Sequence, residues 1–466
     1  MIVPFKFTGM TGGHKSVQFS SEVNRNLYMD LSESAERQGV HDFPGLKLIA
    51  SGSGAHRGAH VMGDSLYLVS GSKLIRESSS GTRTTLGTVD GSARCSFADD
   101  GTNLFFVAGG FLFKWDGTGV STVSQSVVAA PNSITYINKQ FLISGANGRF
   151  AVSDVGDGST YNALNFAEEE TQPDGLLRVY AYSQLVYMFG SKTVGQWYNT
   201  GSGNPPFARR DTSLMNIGLA GTHAVTNTDQ FLYWLGDDRK VYQCVGASAR
   251  PVSTSGIAHI FESFTDVSDC IASTFTIDGQ DFVLLSFPSA GATFCYSETY
   301  QYWVELSAGA TDARQRWYAD QVVSCYGKMI GIDYRNSNSY KLDLDTYTDN
   351  GDARRRVRVF PTFTAKAMQG SGQIVVSRVR INMEVGHGAV TGQGSDPMLM
   401  AELSPDGGKT WGAETFTRIG VLGQYRMPVD VYSFSAGYEV RLRLSFTDPC
   451  HVSFFDGEVE LHSAGF

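Results

Sequence analysis

The chain has 466 residues, with 18% charged, 52 Gly, 21 Tyr, 29 Phe and a formal net charge of −9. That length suffices for two domains, and the Gly- and aromatic-rich, charge-poor balance points to short strands and tight turns rather than long helices. The acidic surplus excludes a general nucleic-acid binder, which concentrates Lys and Arg on one face, but leaves open a conduit past which double-stranded DNA slides without sequence-specific contact.

In chain order, residues 1–23 hold Gly, Ser and Thr with few apolar anchors, which predicts either an extended N-terminal arm that orders only on a partner or a floppy terminus. Met1 to Met10 carry neither a basic nor an apolar signal region, and no 18-residue apolar stretch follows, so no membrane insertion is expected. From residue 24 to 355 one short phrase recurs: an apolar run, a turn, and a second run rich in aromatic and branched residues. It begins at Leu66, Leu104, Phe141, Leu185, Phe231, Phe282 and Met329, at intervals of 38, 37, 44, 46, 51 and 47 residues. Gly71-Ser72, Gly109-Gly110, Asn147-Gly148 and Gly190-Ser191 suit the positive φ of tight hairpin turns, and Gly236-Asp237-Asp238 makes the fifth turn. A period of about 40–50 residues is that of a β-propeller, whose blades cover each other's apolar faces. Six or seven blades fit, and Asn26-Leu27-Tyr28-Met29 is a candidate closing strand for the last.

Asp349-Asn350-Gly351-Asp352 then breaks the pattern, and residues 356–466 alternate apolar and polar positions, as in Val379-Arg380-Ile381-Asn382-Met383 and Val440-Arg441-Leu442-Arg443-Leu444. That alternation predicts half-buried antiparallel strands in a C-terminal β-sandwich-like domain. The expected fold class is therefore all-β. The six cysteines lie at least 25 residues apart and are expected as free, mostly buried thiols.

Few motifs point to chemistry. Ser404-Pro405-Asp406-Gly407-Gly408-Lys409-Thr410-Trp411 matches an Asp-box, in which Ser404, Asp406, Gly408, Thr410 and Trp411 clasp a hairpin: the carboxylate accepts backbone N–H groups and Trp411 packs beneath. Asp-boxes occur in sialidases, but their role there is structural. Gly408-Lys409-Thr410 is no phosphate loop, because Leu403 stands where the first Gly belongs. Gly52 and Gly54 are followed by Arg57 instead of a third Gly. The nine histidines form no metal-ligand spacing, and Glu168-Glu169-Glu170 reads as a solvated charge run, not the spaced pair of a glycosidase. No catalytic, cofactor or metal residue is assigned. The tight basic clusters, Arg354, Arg355, Arg356 with Arg358, and Arg209-Arg210, read as ion pairing at a domain or subunit junction in preference to phosphate contact.

Around the fourth phrase, Thr171 to Leu177, Leu185-Val186-Tyr187-Met188-Phe189-Gly190-Ser191 with Trp197-Tyr198, Ser213-Leu214-Met215 and Gly218-Leu219-Ala220-Gly221 resemble the packaged-DNA stabilisation proteins of P22-like short-tailed phages. Asn26-Leu27-Tyr28 followed by Phe43-Pro44-Gly45 resembles that family's N-terminal pattern, while the C-terminal region does so only loosely. The resemblance implies a structural virion protein without enzymatic activity: a tail hub, assembled in the host cytoplasm, whose hexamer sits below the portal and its adaptor ring. There it closes the DNA exit channel and docks a tail needle and tailspikes or fibres.

Two other readings remain. The Asp-box and the aromatic abundance would suit a sialidase-like or glycan-binding propeller. A cellular adaptor propeller of the commonest type should end its blades in Trp-Asp, which stands here once, at Trp115-Asp116.

Overall fold

The computed structural model describes residues 1–13, 21–31, 38–168, 175–210, 213–368, 370 and 372–463. All seven repeated phrases fold as antiparallel hairpins, pairing Ser65–Ser70 with Lys73–Glu77, Leu104–Ala108 with Phe111–Trp115, and Gln140–Gly145 with Arg149–Val152. The others pair Leu185–Gly190 with Val194–Asn199, Leu232–Leu235 with Val241–Val245, Gln280–Phe287 with Ala292–Ser297, and Lys328–Asp333 with Ser339–Asp343. In each case the hairpin supplies the second and third strands of a four-stranded meander. Gly71, Gly109, Gly110 and Gly148 adopt positive φ in these turns; Gly190 does not, and in the fifth turn Arg239 takes that role with φ 64°.

Six of the meanders are separate four-stranded sheets, the blades of a β-propeller. Stacked blades bury both faces of their middle strands, which is why those strands are continuous apolar runs; every residue of Leu104–Ala108 is buried. The remaining meander, from Ile271–Ile277 to Tyr302–Leu306, begins a nine-stranded sheet that runs on into the C-terminal part of the chain. The longest helix among the described residues is α1 (Ser255–Glu262), capped by Thr254 Oγ1, which accepts from Ile257 N.

Among the described residues, five short strands precede the first blade: β1 (Ile2–Lys6), β2 (Val23–Arg25), β3 (Leu27–Asp30), β4 (Gly39–Asp42) and β5 (Gly45–Ala50). The closing strand of the last blade is β5, paired with Ser339–Asp343, and not the Asn26–Met29 segment expected for it. Gly45 is needed there, because a Cβ would stand 2.1 Å from Thr346 O. Instead β3 pairs with β4, and β4 joins Ser453–Ser463, Ile374–Met383 and Val429–Gly437 in one sheet. In the second sheet β2 links Tyr302–Leu306 of the propeller to Arg356–Thr364, which is followed by Glu439–Phe446, Met398–Ser404 and Thr415–Arg418. The two sheets contribute Val376, Val379, Ile381, Leu403, Leu442 and Val459 to one buried cluster that also contains Phe43 and Trp317 of the propeller side.

The division at residues 24 and 355 therefore differs from the observed one, since β2, β3 and β4 belong with the C-terminal strands. The described part of the arm is also ordered within the chain itself: β1 pairs with Ser453–Ser463, and Phe7, fully buried, stacks on Phe454 with ring centroids 4.8 Å apart. Sequence reading undercounted its anchors because Phe5 and Phe7 are only two rings, yet both pack on Phe360, and Phe7 also stacks on Phe454.

Phe7→Ala should accordingly destabilise the protein by about 3–5 kcal/mol, the usual cost of deleting a buried aromatic ring. Urea denaturation reads this directly, and a midpoint equal to that of the unaltered chain would mean that the segment contributes nothing to the fold.

Candidate functional site

A run of buried charge lies at the seam where the N-terminal strands meet Arg356–Thr364. Arg354, Arg355, Arg356 and Arg358 are all buried there. Arg354 Nη1 donates to Pro44 O at 2.7 Å, Nη2 donates to Phe43 O, and Asp349 stands 3.5 Å away. Arg356 pairs with Asp42 at 3.3 Å, donates to Asp448 O and lies over the Phe446 ring. Arg358 donates to Phe7 O at 2.8 Å and pairs with Glu22 at 2.5 Å, while Arg355 meets Asp312 at 2.8 Å and Glu414.

The guanidinium groups are thus consumed inside the chain. Phosphate contact by these four side chains is corrected by their burial: a surface polyanion would have to displace carboxylates and backbone carbonyls already in place. Burial lowers the pKa of Arg356 and Arg358, with Asp42 and Glu22 opposing that shift. Asp349 moves the other way. Its burial outweighs the attraction of Arg354 and Arg356 and pushes its pKa up to about 6.

Both N-terminal sequence patterns land on this seam. Asn26 has φ 56°, a conformation that Asn tolerates better than most residues, and its side-chain amide donates to Ser307 O and Arg355 O at 2.8 and 2.9 Å. Phe43 and Pro44 offer the carbonyls that Arg354 takes.

The Asp-box closes as a clasp. Asp406 Oδ1 accepts from Ser404 Oγ at 2.7 Å and from Lys409 N and Thr410 N at 2.9 Å, and Oδ2 accepts from Thr410 Oγ1 at 2.6 Å. The Thr410 hydroxyl, then its N–H, hold the Asp406 carboxyl well below the usual carboxylate range. Gly408 N donates to Ser404 Oγ, and Gly407 and Gly408 take positive φ. Trp411 is half-buried and carries the Arg443 guanidinium over its ring at 4.6 Å.

The remaining singled-out residues do not converge. Arg209 and Arg210 are exposed at the end of Phe207–Arg209, and Glu168 pairs with Arg149 at 2.6 Å; Glu169 and Glu170, like Thr171 to Asp174, lie outside the described residues. Arg57, set aside when the Gly52 and Gly54 pattern failed, is buried and donates to Gly71 O, Val89 O and Ala93 O. All six cysteines are free and buried, and burial raises their thiol pKa values. Arg94, Arg178 and His223, on the inner strands of the propeller and their approaches, face its central cavity. Sequence reasoning missed them because each is an isolated polar residue, and only the closed ring brings them together.

Residues 1–347 match the family model for the phage-stabilising β-propeller of bacteriophage P22 Gp10. The chain belongs to this family, which is one of structural phage tail hub proteins and not of enzymes. It is 24% identical over 358 residues to the tail hub protein gp10 of Salmonella phage P22, an alignment covering 70% of this chain and 74% of that protein. Among solved structures, it overlaps the WD40 propeller domain of Doa1 with a TM-score of 0.43 and 11% identity, covering 64% of this chain and 97% of that one. The corresponding values for YCF48 bound to D1 peptide are 0.42 and 11%, with 65% and 98% covered. Overlaps of that extent carry no weight for fold or function. The family match ends before Arg354, so the strands from Arg356 onward lie beyond it, whereas β1 to β4, which pair with them, lie inside.

Asp349 gives the seam a pH signature. Its folded-state pKa of about 6 lies above the ordinary 3.8, so the folded protein holds this proton more tightly than the unfolded chain does. Stability from this group is full below the ordinary value and is lost as pH rises to about 6. Relative to Asp349→Asn, the unaltered protein should therefore lose on the order of 2 kcal/mol between pH 4 and pH 6, and level off about one pH unit higher. Denaturation of both proteins across that range measures the difference; a difference independent of pH would contradict it.

Proposed function

We propose that the chain is a tail hub subunit that forms a hexameric ring below the portal and its adaptor ring, closes the DNA exit channel after packaging, and docks a tail needle with tailspikes or fibres. The observation that carries this reading is the family match over residues 1–347, which takes in every propeller strand together with β1 to β5. Retention of DNA is then obstruction by an assembled ring, and the net charge of −9 suits a wall along which duplex DNA moves without specific binding.

We count the meander from Ile271–Ile277 to Tyr302–Leu306 as a seventh blade, because it has the same up-and-down strand order as the other six. The two sheets from β1 to β4 and Arg356 to Ser463 are read as a β-sandwich-like domain rooted in that blade. Docking of other tail components would fall to exposed side chains, not to the buried arginines. The C-terminal strands and loops expose Phe416, Tyr425, Tyr432, Tyr438 and Phe455, and aromatic residues are enriched at protein interfaces. Assembly in the host cytoplasm and residence in the virion tail follow from the same reading.

The glycan-active alternative has no supporting observation beyond the Asp-box, whose carboxylate is fully engaged in its own turn.

Native mass spectrometry of the purified chain mixed with the phage's portal and adaptor proteins tests the proposal. The expected species carries six copies of this chain on one adaptor ring. A chain that stays monomeric and unbound in the presence of the assembled adaptor ring would overturn it.

A further inference from the structure

The innermost strands of the meanders enclose a cavity of about 480 Å³ at the propeller's centre. Its charge runs against that of the chain as a whole. Asp320, next in sequence to the lining residue Gln321, is one carboxylate facing two guanidinium groups, the lining Arg94 at 2.9 Å and Arg316 at 3.2 Å; Arg94 also donates to Gln321 Oε1 at 3.0 Å, and Asp99 on the cavity wall is taken by His60 at 2.6 Å. Arg178 adds a further positive charge, and no carboxylate among the described residues lies within ion-pair distance of it.

The hydrogen bonds of Arg178 leave it unsatisfied. Nη1 donates to Thr222 O at 2.7 Å and to His223 Nδ1 at 3.3 Å, and the buried Nε has no acceptor. The Tyr180 ring lies 5.4 Å from the guanidinium carbon, but its hydroxyl donates to Asn227 Oδ1 at 2.7 Å and is not available. Burial, reinforced by the charges of Arg178 and Arg94, pushes His223 well below the ordinary imidazole value, so its ring is neutral. With Nδ1 accepting from Arg178, the ring proton sits on Nε2, which makes His223 a second donor.

Arg178 is half-buried with its Nε sealed from solvent; a guanidinium so placed without a counter-charge is costly, and the cost is removed by any ligand that brings one. Arginine's planar fork of donors suits oxyanions, phosphate above all. We propose that the propeller cavity is a binding site for a small phosphate-type oxyanion, held by Arg178 with His223 as a neighbouring donor and the charge of Arg94 nearby. The ligand is either free phosphate or the terminal group of a small phosphomonoester. The site belongs to a single chain and does not depend on the tail hub assignment: a monomer would bind as a ring does.

The test is calorimetric titration of the full-length chain, in phosphate-free buffer, with inorganic phosphate and separately with glycerol 2-phosphate, against chloride at matched ionic strength. Saturable binding of either phosphate compound is expected, and which of them binds more tightly identifies the source. Arg178→Met should weaken it by roughly 10- to 100-fold, with Arg178→Lys between that variant and the unaltered chain. Heats equal to those of chloride for both compounds, or a folded Arg178→Met variant that binds as tightly as the original, would overturn the proposal. Should Arg178→Met fail to fold, crystals of the unaltered chain soaked in selenate decide it. An anomalous peak within hydrogen-bond distance of Arg178 supports the site, and a cavity without one overturns it.

Discussion

The buried arginines of the seam hold the two ends of the chain together, and the rest of the molecule depends on that hold. Arg354 grips the carbonyls of Phe43 and Pro44, 311 and 310 residues away in sequence, immediately before β5 closes the last blade. Bringing segments so distant together costs roughly 5 kcal/mol of loop entropy on the (3/2)RT ln n scale. Charge-assisted hydrogen bonds contribute about 1.5–3 kcal/mol each, so a few of them, with the β5 ladder and the buried Leu46, offset that cost. Arg358 repeats the device with Phe7 and Val23, so one short run of sequence anchors β1, β2 and β5. Each buried charge also commits the seam to staying closed, because removing one partner strands the other in a dry interior.

The blades were legible in the sequence because their signal is local. Each repeated phrase is a hairpin whose turn chemistry and apolar runs lie within about twenty residues, and all seven fall on the second and third strands of a meander. The fourth strands were fainter: Arg83–Thr88 and Ser248–Pro251 are exposed or half-buried throughout and carry little apolar signature. Ring closure was not legible at all. Whether Asn26–Met29 or Gly45–Ala50 completes the last blade depends on a partner near residue 340, and only the first of these segments read as a strand. The arm was misread for the same reason, since the value of Phe7 lies in Phe360 and Phe454, hundreds of residues away.

Side-chain roles divided along the same line. The Asp-box was readable because its donors and acceptors lie within seven residues of one another. The arginine run was conspicuous, and ion pairing was the better of its two readings, but only the fold reveals that its partners are Asp42, Asp349, Glu22 and the carbonyls of the N-terminal strands. Arg178 had no local mark: a polar residue on a strand reads as solvent-facing until the ring closes around it.

Membership of the phage-stabilising propeller family gives this architecture its purpose. The propeller is closed by β5, and its sixth meander runs on into the nine-stranded sheet that it shares with the C-terminal strands. The most direct measurement is an electron cryomicroscopy reconstruction of the phage virion carrying this chain. The account predicts six copies of the propeller arranged around the tail axis, directly below the portal and adaptor density. Propeller density found only at the tail's periphery, or absent from the virion, would contradict it.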